Sequence, residues 1–364
     1  MLLVLVATTI LVFYLTRGFL GPISALAPYI SPAMQDPAKL QLAQSLNVAS
    51  TSCPSWAALL AGQRICQVPL WQQYFSWFQH AILQGQWGYS LLPGISGTET
   101  TWQVFTSRFP YTVELAVSAS VLTILISIPL GILSATRNNK IPDHVSRVVA
   151  VVGHAMPSFW LGFILQIFFV LYLTIRVGQF STGLLPAGGS LATNCAICFP
   201  TPGHIGLFTG IPIVDSLISL NFQYFWDSLV ALILPSITLA LVTIGSLTRV
   251  LRSSMLDVLR QDFILLARSK GIKERSVIYR HAFRNAMLPV LTITGLLFAY
   301  ILGGVIIIED VFDWPGVGQA ALSASLANDV NFLELYTLVT AVIILSSNLL
   351  VDIVYGALDP RIRS

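Results

Sequence analysis

Few side chains in this sequence could carry chemistry, and no combination of them forms a familiar catalytic motif. There is no G-x-x-x-x-G-K-[ST] loop of the kind that cradles nucleotide phosphates, and no H-E-x-x-H pair of metal ligands. We therefore predict no catalytic residue and no metal ligand. By itself the chain is expected to hydrolyse neither ATP nor peptide bonds.

Four cysteines are the candidates for covalent chemistry. Cys53 and Cys66 are close enough in sequence to close a small loop by a disulfide, which would stabilise the fold by roughly 3 kcal/mol. Cys195 and Cys198 have the C-x-x-C spacing of redox motifs, but no thioredoxin-like strand–helix pattern surrounds them. A structural bridge is the favoured interpretation, with redox or metal chemistry as the alternative.

The most distinctive charged feature is a basic segment, which holds nine of the chain's 19 lysines and arginines between Arg249 and Arg284. Its first half has apolar residues at roughly helical spacing: Met255, Leu256, Leu259, Phe263, Leu266 and Ala267. Gly271 then predicts a helix end or a sharp turn. A short amphipathic helix follows, with Val277, Ile278, Ala282 and Phe283 on one face. Such a helix can insert into a groove on another protein, and charge alone does not distinguish this from an ordinary basic loop touching anionic lipid.

The composition places these residues in a membrane protein. The chain is 55% hydrophobic and 10% charged, with a mean hydropathy of +0.77, whereas a soluble domain has roughly a quarter of its residues charged. Apolar runs near the length of about 20 residues that a spanning helix requires predict six spans. These spans are Leu2–Leu15, Tyr111–Ala135, Val148–Ile175, Leu229–Leu247, Leu288–Ile308 and Leu333–Ala357. Because no basic residue precedes the first run, we expect a retained helix rather than a cleaved signal peptide.

The distribution of basic residues predicts the orientation. If the first helix begins inside, 14 of the 19 lysines and arginines fall in inward segments, and all four cysteines fall in outward ones. Both termini are then cytoplasmic, in a multi-pass protein of the cytoplasmic (inner) membrane. The predicted regions are a first helix (1–16), an extracytoplasmic region (17–110), a five-helix domain (111–357) containing the inward segment 249–287, and a tail (358–364).

One outward stretch has a helical pattern of its own. Tyr74, Trp77, Phe78, Ala81 and Ile82 follow the spacing of one helix face. Such a stripe predicts a helix that either lies at the membrane interface, which Trp and Tyr favour, or forms the core of a small external cap.

Several long motifs resemble one family, the first permease subunit of dipeptide/oligopeptide type I ABC importers. The basic segment "RSSMLDVLRQDFILLARSKGIKERSVIYRHAFRNAMLPVLT" is similar to that family's cytoplasmic signature. "SRFPYTVELAVSASVLTILISIPLGILSATRNN", "MPSFWLGFILQIFF", "DVFDWPGVGQ" and "NLLVDIVYGALDPRIR" resemble its second span, third span, last external loop and C-terminus. The resemblance covers about residues 71–363. The outward segments are longer than is typical of the family and contain added cysteines.

The resemblance implies a fold, a function and partners. The fold would be all-α, with six transmembrane helices of the type I ABC importer permease fold and an extracytoplasmic insertion between helices 1 and 2. The chain would form half of a peptide pathway that works by alternating access. Its expected partners are a second permease subunit, two subunits that bind ATP and Mg, an extracytoplasmic binding protein and membrane lipid, but no nucleic acid. Oligosaccharides or metal complexes are alternative cargoes; a secondary transporter and a membrane hydrolase are more distant alternatives.

The resemblance also implies roles for particular residues. Those expected to couple the chain to the ATP-hydrolysing subunits are Ala267, Lys270, Gly271, Arg275, Tyr279, Arg280, His281, Arg284 and Asn285. Candidates for the pathway or the external loop are His154, Pro157, Trp314, Pro315 and Gly316. Pro157 and Pro235 are expected to kink their spans. Glu114 and Asp352, which lie near span ends, are expected to be buried between subunits or placed at the interface rather than to line the pathway.

Overall fold

The computed structural model describes residues 2–20, 34–45, 48–61, 63, 66, 68–92, 99–172 and 209–358. These ranges are helical almost throughout and contain no strand; Tyr89 and Thr100 form an isolated bridge, and Ala49 is also a bridge residue. The predicted all-α class is therefore confirmed for the described part of the chain. Two compact units are present: Met1–Phe109 with Val317–Val342, and Pro110–Gly316 with Ile343–Ser364.

The helices follow one another along the chain. They are α1 (Leu2–Leu20), α2 (Asp36–Ser45), α3 (Trp56–Leu60), α4 (Leu70–Trp77), α5 (Thr101–Thr136), α6 (Ile141–Ala155), α7 (Ser158–Gln166), α8 (Pro212–Ile218), α9 (Phe222–Leu259), α10 (Asp262–Ser269), α11 (Glu274–Ser276), α12 (Arg284–Gly304), α13 (Ile306–Val311), α14 (Val317–Leu326) and α15 (Val330–Leu358). The π-helical segments Phe78–Leu83, Ile167–Tyr172 and Val277–Phe283 continue α4, α7 and α11 without a break.

Among the described residues, three helices are long and apolar enough to cross a membrane: Thr101–Thr136, Phe222–Leu259 and Val330–Val351. Leu3–Thr16 and Ser158–Phe169 are shorter apolar helices. These five segments correspond to predicted spans. The predicted fifth span is also helical, but α12 ends at Gly304 and α13 begins at Ile306.

Helix α5 begins ten residues earlier than the predicted start at Tyr111. A capping box explains this start, because the amide of Thr100 donates to Gln103 Oε1 at 2.9 Å and the amide of Gln103 donates to Thr100 Oγ1 at 3.3 Å. Pro110 lies inside the helix without ending it. The apolar run therefore predicts where the chain crosses the membrane, but it does not predict where the helix begins.

The predicted third span is not one helix. The chain leaves the helical conformation between α6 and α7, where Pro157 has φ −59° and ψ 134°. A proline lacks the amide hydrogen that would continue the ladder and disfavours helix in the residue before it. The predicted kink at Pro157 is therefore present as a break. Pro235, in contrast, is buried within α9, which continues past it.

Helix α9 is the centre of the second unit, and α6, α7, α8 and α12 all pack against it. Gly153 permits the approach of α6, since a Cβ atom there would lie 2.5 Å from the backbone oxygen of Leu241. Two apolar clusters result, one around Leu115, Leu234 and Ile308, and one around Leu251 and Met255. The second cluster continues into the basic segment.

Hydroxyl groups join α5 to α9 inside this apolar packing. Ser118 and Ser236 share a hydrogen bond of 2.7 Å between their Oγ atoms, and Thr123 and Thr243 share one of 2.8 Å between their Oγ1 atoms. Serine and threonine satisfy their hydroxyls in this way between membrane helices. The two pairs lie about one and a half turns apart on α5 and about two turns apart on α9, and they fix the register of the two helices.

A small cluster in the first unit surrounds a disulfide between Cys53 and Cys66, whose Cα atoms are 4.4 Å apart. Both cysteines are buried, together with Val48, Trp56 and Leu59. The bond joins the segment that precedes α3 to the segment that precedes α4. Cys195 and Cys198 lie outside the described residues, so their pairing remains a prediction.

Candidate functional site

The basic segment does not follow the single helix that its apolar spacing predicts. Helix α9 ends at Leu259, Gln261 is extended with φ −77° and ψ 151°, and α10 begins at Asp262. This break resets the helical phase. Met255 and Ala267 are buried as the pattern predicts, but Phe263 and Leu266 are exposed. Ile264, which was not part of the predicted stripe, is buried in their place.

Gly271 forms the turn that follows α10. Its φ is +72°, in the left-handed region that glycine favours. The amide of Gly271 donates to the carbonyl of Arg268 at 2.9 Å, and the amide of Ile272 donates to the carbonyl of Ala267 at 3.3 Å. These are the two hydrogen bonds of a Schellman motif. The predicted sharp turn is therefore present, and its shape depends on the residue at Gly271.

An ion pair spans this turn. Arg268 donates to both carboxylate oxygens of Glu274, from Nη2 at 2.7 Å and from Nε at 3.2 Å. The hydrogen bond from Arg268 holds the pKa of Glu274 below its ordinary value, and the hydrogen bond to Glu274 raises the pKa of Arg268. Because both side chains are exposed, the pair contributes modestly to stability.

One face of the segment packs inward. Val277 and Ala282 are fully buried, and Ile278 and Phe283 lie against the same cluster, as the amphipathic pattern predicts. Ala267 is also buried there, so its small side chain serves close packing within this chain and does not reach the surface. From Glu274 the chain is helical through to Gly304, with the π-helical segment inside it. The predicted short helix and the fifth span are therefore continuous.

The other face of the segment is exposed and is here called the coupling surface. It consists of Leu265, Leu266, Lys270, Gly271, Lys273, Arg275, Tyr279, Arg280, Arg284 and Asn285. Leu265 and Leu266 are 65% and 57% exposed, which is high for leucine. His281 is half-buried, and its carbonyl accepts a hydrogen bond of 2.7 Å from Asn285 Nδ2. Apolar side chains ringed by cations form a surface suited to a protein partner.

A buried carboxylate anchors the helix that leads into this surface. Asp143, at the start of α6, is fully buried and accepts from Arg252 of α9, with Nε at 2.7 Å from Oδ1 and Nη2 at 3.1 Å from Oδ2. Arg147 Nη2 donates to the same carboxylate at 2.7 Å, and Ser134 Oγ of α5 donates to it at 2.6 Å. The amide of Asn139 completes the set at 2.9 Å. One side chain thus joins three helices.

The hydrogen-bond partners of this carboxylate favour its ionised form. The hydrogen bond from Arg252 keeps the pKa of Asp143 well below its usual range, with help from Ser134, Asn139 and Arg147, and against the effect of burial, which raises it. Asp143 is therefore ionised at neutral pH. We call Asp143, Arg147 and Arg252 the arginine clamp.

No pattern in the sequence is sufficient to select the clamp. Pro142 and Asp143 have the residue types of a first helical turn, which predicts a helix start. Arg252, however, lies 109 residues further along the chain, and nothing in either local pattern pairs the two. It appeared in the sequence only as one of nine basic residues.

The loop after α13 is folded back within the second unit. Trp314 is 2% exposed; its amide donates to the carbonyl of Glu309 at 2.7 Å, and its Nε1 donates to the carbonyl of Tyr111 at 3.0 Å. Glu309 is fully buried and accepts from Thr112 Oγ1 at 2.6 Å. A side chain at Gly316 would overlap the Glu309 carboxylate. Trp314 therefore positions this loop on α5, and its ring is not available to a partner; Pro315 is half-buried.

The remaining predicted site residues are not brought together. Pro157 is exposed at the break between α6 and α7. Glu114 is buried and accepts from the amide of Ile213 at 2.9 Å, at the start of α8, so it is buried within this chain, whereas burial between subunits or placement at the interface was predicted. The side chains of His154 and Asp352 lie outside the part that the structure describes. Within the described residues there is no group of three or more potential metal ligands.

The profile of the family described as "Binding-protein-dependent transport system inner membrane component" matches residues 127–364. The dipeptide transport system permease protein DppB of Escherichia coli (strain K12) is 35% identical over 295 residues, which are 81% of each chain. The oligopeptide transport system permease protein AppB of Bacillus subtilis (strain 168) and the di/tripeptide transport system permease protein DppB of Pseudomonas aeruginosa (strain UCBPP-PA14) are each 34% identical, over 81% of this chain and 81% of their own.

The matched range contains the arginine clamp, the coupling surface and the loop around Trp314. The described residues also include helices long enough to cross a membrane, and the alignment with the Escherichia coli relative covers 81% of that protein. The chain belongs to the family of binding-protein-dependent transport system inner membrane components.

Proposed function

We propose that this chain is the permease subunit of an ATP-driven importer of di- or oligopeptides and forms half of its translocation pathway. The observation that carries the proposal is the extended identity with permeases named for dipeptide, di/tripeptide and oligopeptide transport. The other half would come from a second permease subunit, and an extracytoplasmic binding protein would deliver the peptide. ATP and Mg would be bound by two partner subunits.

The coupling surface is the proposed docking site for one of these ATP-binding subunits. Leu265 and Leu266 would enter an apolar groove of that subunit, and the cations Lys270, Arg275 and Arg280 would border it. This assignment is consistent with an orientation in which both termini and the basic segment face the cytoplasm.

The structure suggests how a movement at this surface would reach the spans. Helix α11, its π-helical continuation and α12 form one helical rod, so a push near Tyr279 would be carried along it. On the other side of the Gly271 turn, the arginine clamp ties α9 to α5 and α6 through Arg252. Closure of the ATP-binding subunits would then move the spans together and open the pathway alternately to the two sides.

Transport by a reconstituted complex tests the main proposal. The chain is assembled with its second permease, ATP-binding subunits and binding protein in proteoliposomes, and the uptake of labelled di- and oligopeptides is measured with ATP or with a non-hydrolysable analogue. We expect peptide uptake only with hydrolysable ATP. Uptake that continues without ATP, or that selects oligosaccharides over peptides, would contradict the proposal.

Co-purification tests the docking site separately. Leu266→Ser is expected to release the ATP-binding subunits from the membrane complex, because it removes an exposed apolar anchor at the centre of the surface. Leu326→Ser is the matched control, since Leu326 is also an exposed leucine but ends α14, outside the basic segment. Equal retention of the ATP-binding subunits by the two variants would exclude this surface as their docking site.

A further inference from the structure

The segment Leu70–Leu83 has a composition that is unusual for an exposed helix. It consists of α4 and its π-helical continuation, and its 14 residues include no aspartate, glutamate, lysine or arginine. A water-facing helix of this length ordinarily has charged residues on its outer face. This segment has apolar residues on both of its faces.

Its inner face packs against the first span. The ring of Phe13 on α1 lies 5.4 Å from the ring of Tyr74 and 5.5 Å from that of Trp77, measured between centroids. Thr9, one turn before Phe13, shares a hydrogen bond of 2.9 Å with the hydroxyl of Tyr74. Phe13, Trp77 and Ala81 are buried by this contact and belong to one cluster. The segment therefore lies alongside α1 and not beyond its end.

Its outer face is uncovered. Trp71, Phe75 and Leu83 are 55%, 64% and 71% exposed. Ile82 is exposed beside them. Gln72 and Gln79 supply the polar groups of this face. Large apolar side chains at this exposure, side by side, form a patch that a soluble surface seldom leaves open.

The position of the contact along α1 indicates what covers the patch. The polar end of α1 is marked by Arg17, and at 1.5 Å per residue Phe13 and Thr9 lie about 6 Å and 12 Å before it along the helix axis. Helices that rest in the interface insert roughly 5–10 Å below the headgroups. The contact with α1 thus places the segment at the depth of the outermost acyl chains.

The length of the segment agrees with this depth. A segment of 14 residues is too short to span, and hydrophobic runs of about 10–14 residues occur in buried core helices and in re-entrant or interfacial segments. Leu11 and Leu15 are exposed on the face of α1 turned away from Phe13, so α1 has an apolar, lipid-facing side at the same level as its contact with the segment. Tryptophan, as at position 71, favours the boundary between headgroups and acyl chains.

We propose that Leu70–Leu83 is embedded in the membrane interface, where its outer face contacts phospholipid acyl chains. The bound partner is the bilayer itself, and its recognition depends on apolar burial rather than on headgroup charge, because the segment has no cation to attract anionic lipid. Gln72 and Gln79 lie where headgroup oxygens can accept hydrogen bonds from them.

Photo-crosslinking in the intact transporter in native membranes tests this placement. The probe is p-benzoylphenylalanine, introduced at Phe75. Leu11, exposed on α1, is the lipid-facing reference, and Gln41, exposed on α2 beside the ion pair of Asp36 and Lys39, is the water-facing control. Mass spectrometry of the irradiated chain is expected to find a phospholipid adduct at Phe75 and Leu11, several-fold above that at Gln41.

Two results overturn the proposal. One is a cross-link from Phe75 to another polypeptide, which would make the outer face a protein interface. The other is a lipid yield at Phe75 no higher than at Gln41, which would place it in water. If the probe at Phe75 prevents accumulation of the chain, it is introduced instead at Trp71 on the same face, and the same two results would overturn the proposal. Membranes with and without anionic phospholipid are expected to give equal adduct yields, and a strong dependence on anionic lipid would overturn the stated basis of recognition.

Discussion

Replacement of Asp143 by asparagine is the sharpest test of the arginine clamp. Asparagine has nearly the same size as aspartate and keeps one acceptor oxygen, but it removes the charge and places an amide nitrogen against a guanidinium group. Asp143 is fully buried and receives charge-assisted hydrogen bonds from Arg252 and Arg147. The substitution leaves Arg252, which is mostly covered, without its carboxylate.

The loss in the free energy of unfolding can be estimated from the number and burial of these hydrogen bonds. A hydrogen bond to a charged group contributes roughly 1.5–3 kcal/mol, and breaking a buried pair by removing one partner costs about 3–5 kcal/mol. Since Arg252 retains a hydrogen bond of 2.8 Å to Asn138, we expect Asp143→Asn to cost about 2–4 kcal/mol. Arg147→Gln is the control, and because Arg147 is 48% exposed we expect it to cost at most about 1 kcal/mol.

Thermal unfolding of the purified complex, followed by tryptophan fluorescence, measures the difference. At neutral pH the midpoint for Asp143→Asn is expected roughly 5–10 °C below wild type, and that for Arg147→Gln within about 3 °C. Amide exchange in α10 is expected to accelerate in Asp143→Asn, because α9 leads directly into it. Equal midpoints for the two variants would show that the carboxylate is not the anchor described here.

The pH dependence gives an independent check with a definite sign. The pKa of Asp143 is depressed in the folded chain, so the folded state binds fewer protons than the unfolded state and stability rises with pH in the window between the two values. The contribution of Asp143 is therefore complete above its ordinary value of 3.8 and declines as the pH falls below it. The difference in the free energy of unfolding between wild type and Asp143→Asn is expected to stay constant from pH 7 to about pH 5 and to become smaller below about pH 4.

Three further experiments test other parts of the structure. Gly271→Val is expected to lower stability by roughly 1–2 kcal/mol and to reduce uptake, whereas Gly271→Asn is expected to retain more stability and more uptake. No atom lies within 4 Å of a Cβ at this position, so the two variants differ in how well they tolerate the positive φ. Equal uptake by both variants would contradict this. Cys53→Ser is expected to lose roughly 3 kcal/mol of local stability. Limited proteolysis of residues 34–66 measures that loss, which reductant should reproduce in the wild type. Thr123→Val and Thr243→Val are expected to show a coupling of about 0.6 kcal/mol in a double-mutant cycle of thermal stability, and strict additivity would exclude the hydrogen bond between them.

The spans were predictable because their signal is local. An apolar run long enough to cross a bilayer is itself the cause of a membrane helix, so the runs near residues 111–135, 229–247 and 333–357 coincide with α5, α9 and α15. Helix ends depend on different physics. The start of α5 follows from the hydrogen bonds between Thr100 and Gln103, and these lie in a polar stretch that hydropathy does not register.

The elements of the site were predictable to different degrees. The Gly271 turn and the inward face of Val277 and Ala282 each depend on a few neighbouring residues, so the sequence contained their signal. The arginine clamp and the contact between Trp314 and Tyr111 join residues that are 109 and 203 positions apart. A single sequence holds no record of such pairs, because either partner could satisfy its polar groups elsewhere.

The break at Gln261 shows how one missed local feature changes a functional surface. A continuous helix through this region would place Phe263 and Leu266 in phase with Met255 and Leu259, and therefore in the core. The extended residue at Gln261 rotates α10 so that Ile264 and Ala267 face inward and Leu265 and Leu266 face outward. Leu265 and Leu266 are therefore exposed on the coupling surface because the helix is interrupted at Arg260 and Gln261. We therefore expect a substitution that strengthens the helix at Arg260 and Gln261, such as Gln261→Ala, to weaken the proposed docking of an ATP-binding subunit, measured by co-purification, more than it changes the thermal stability of the chain.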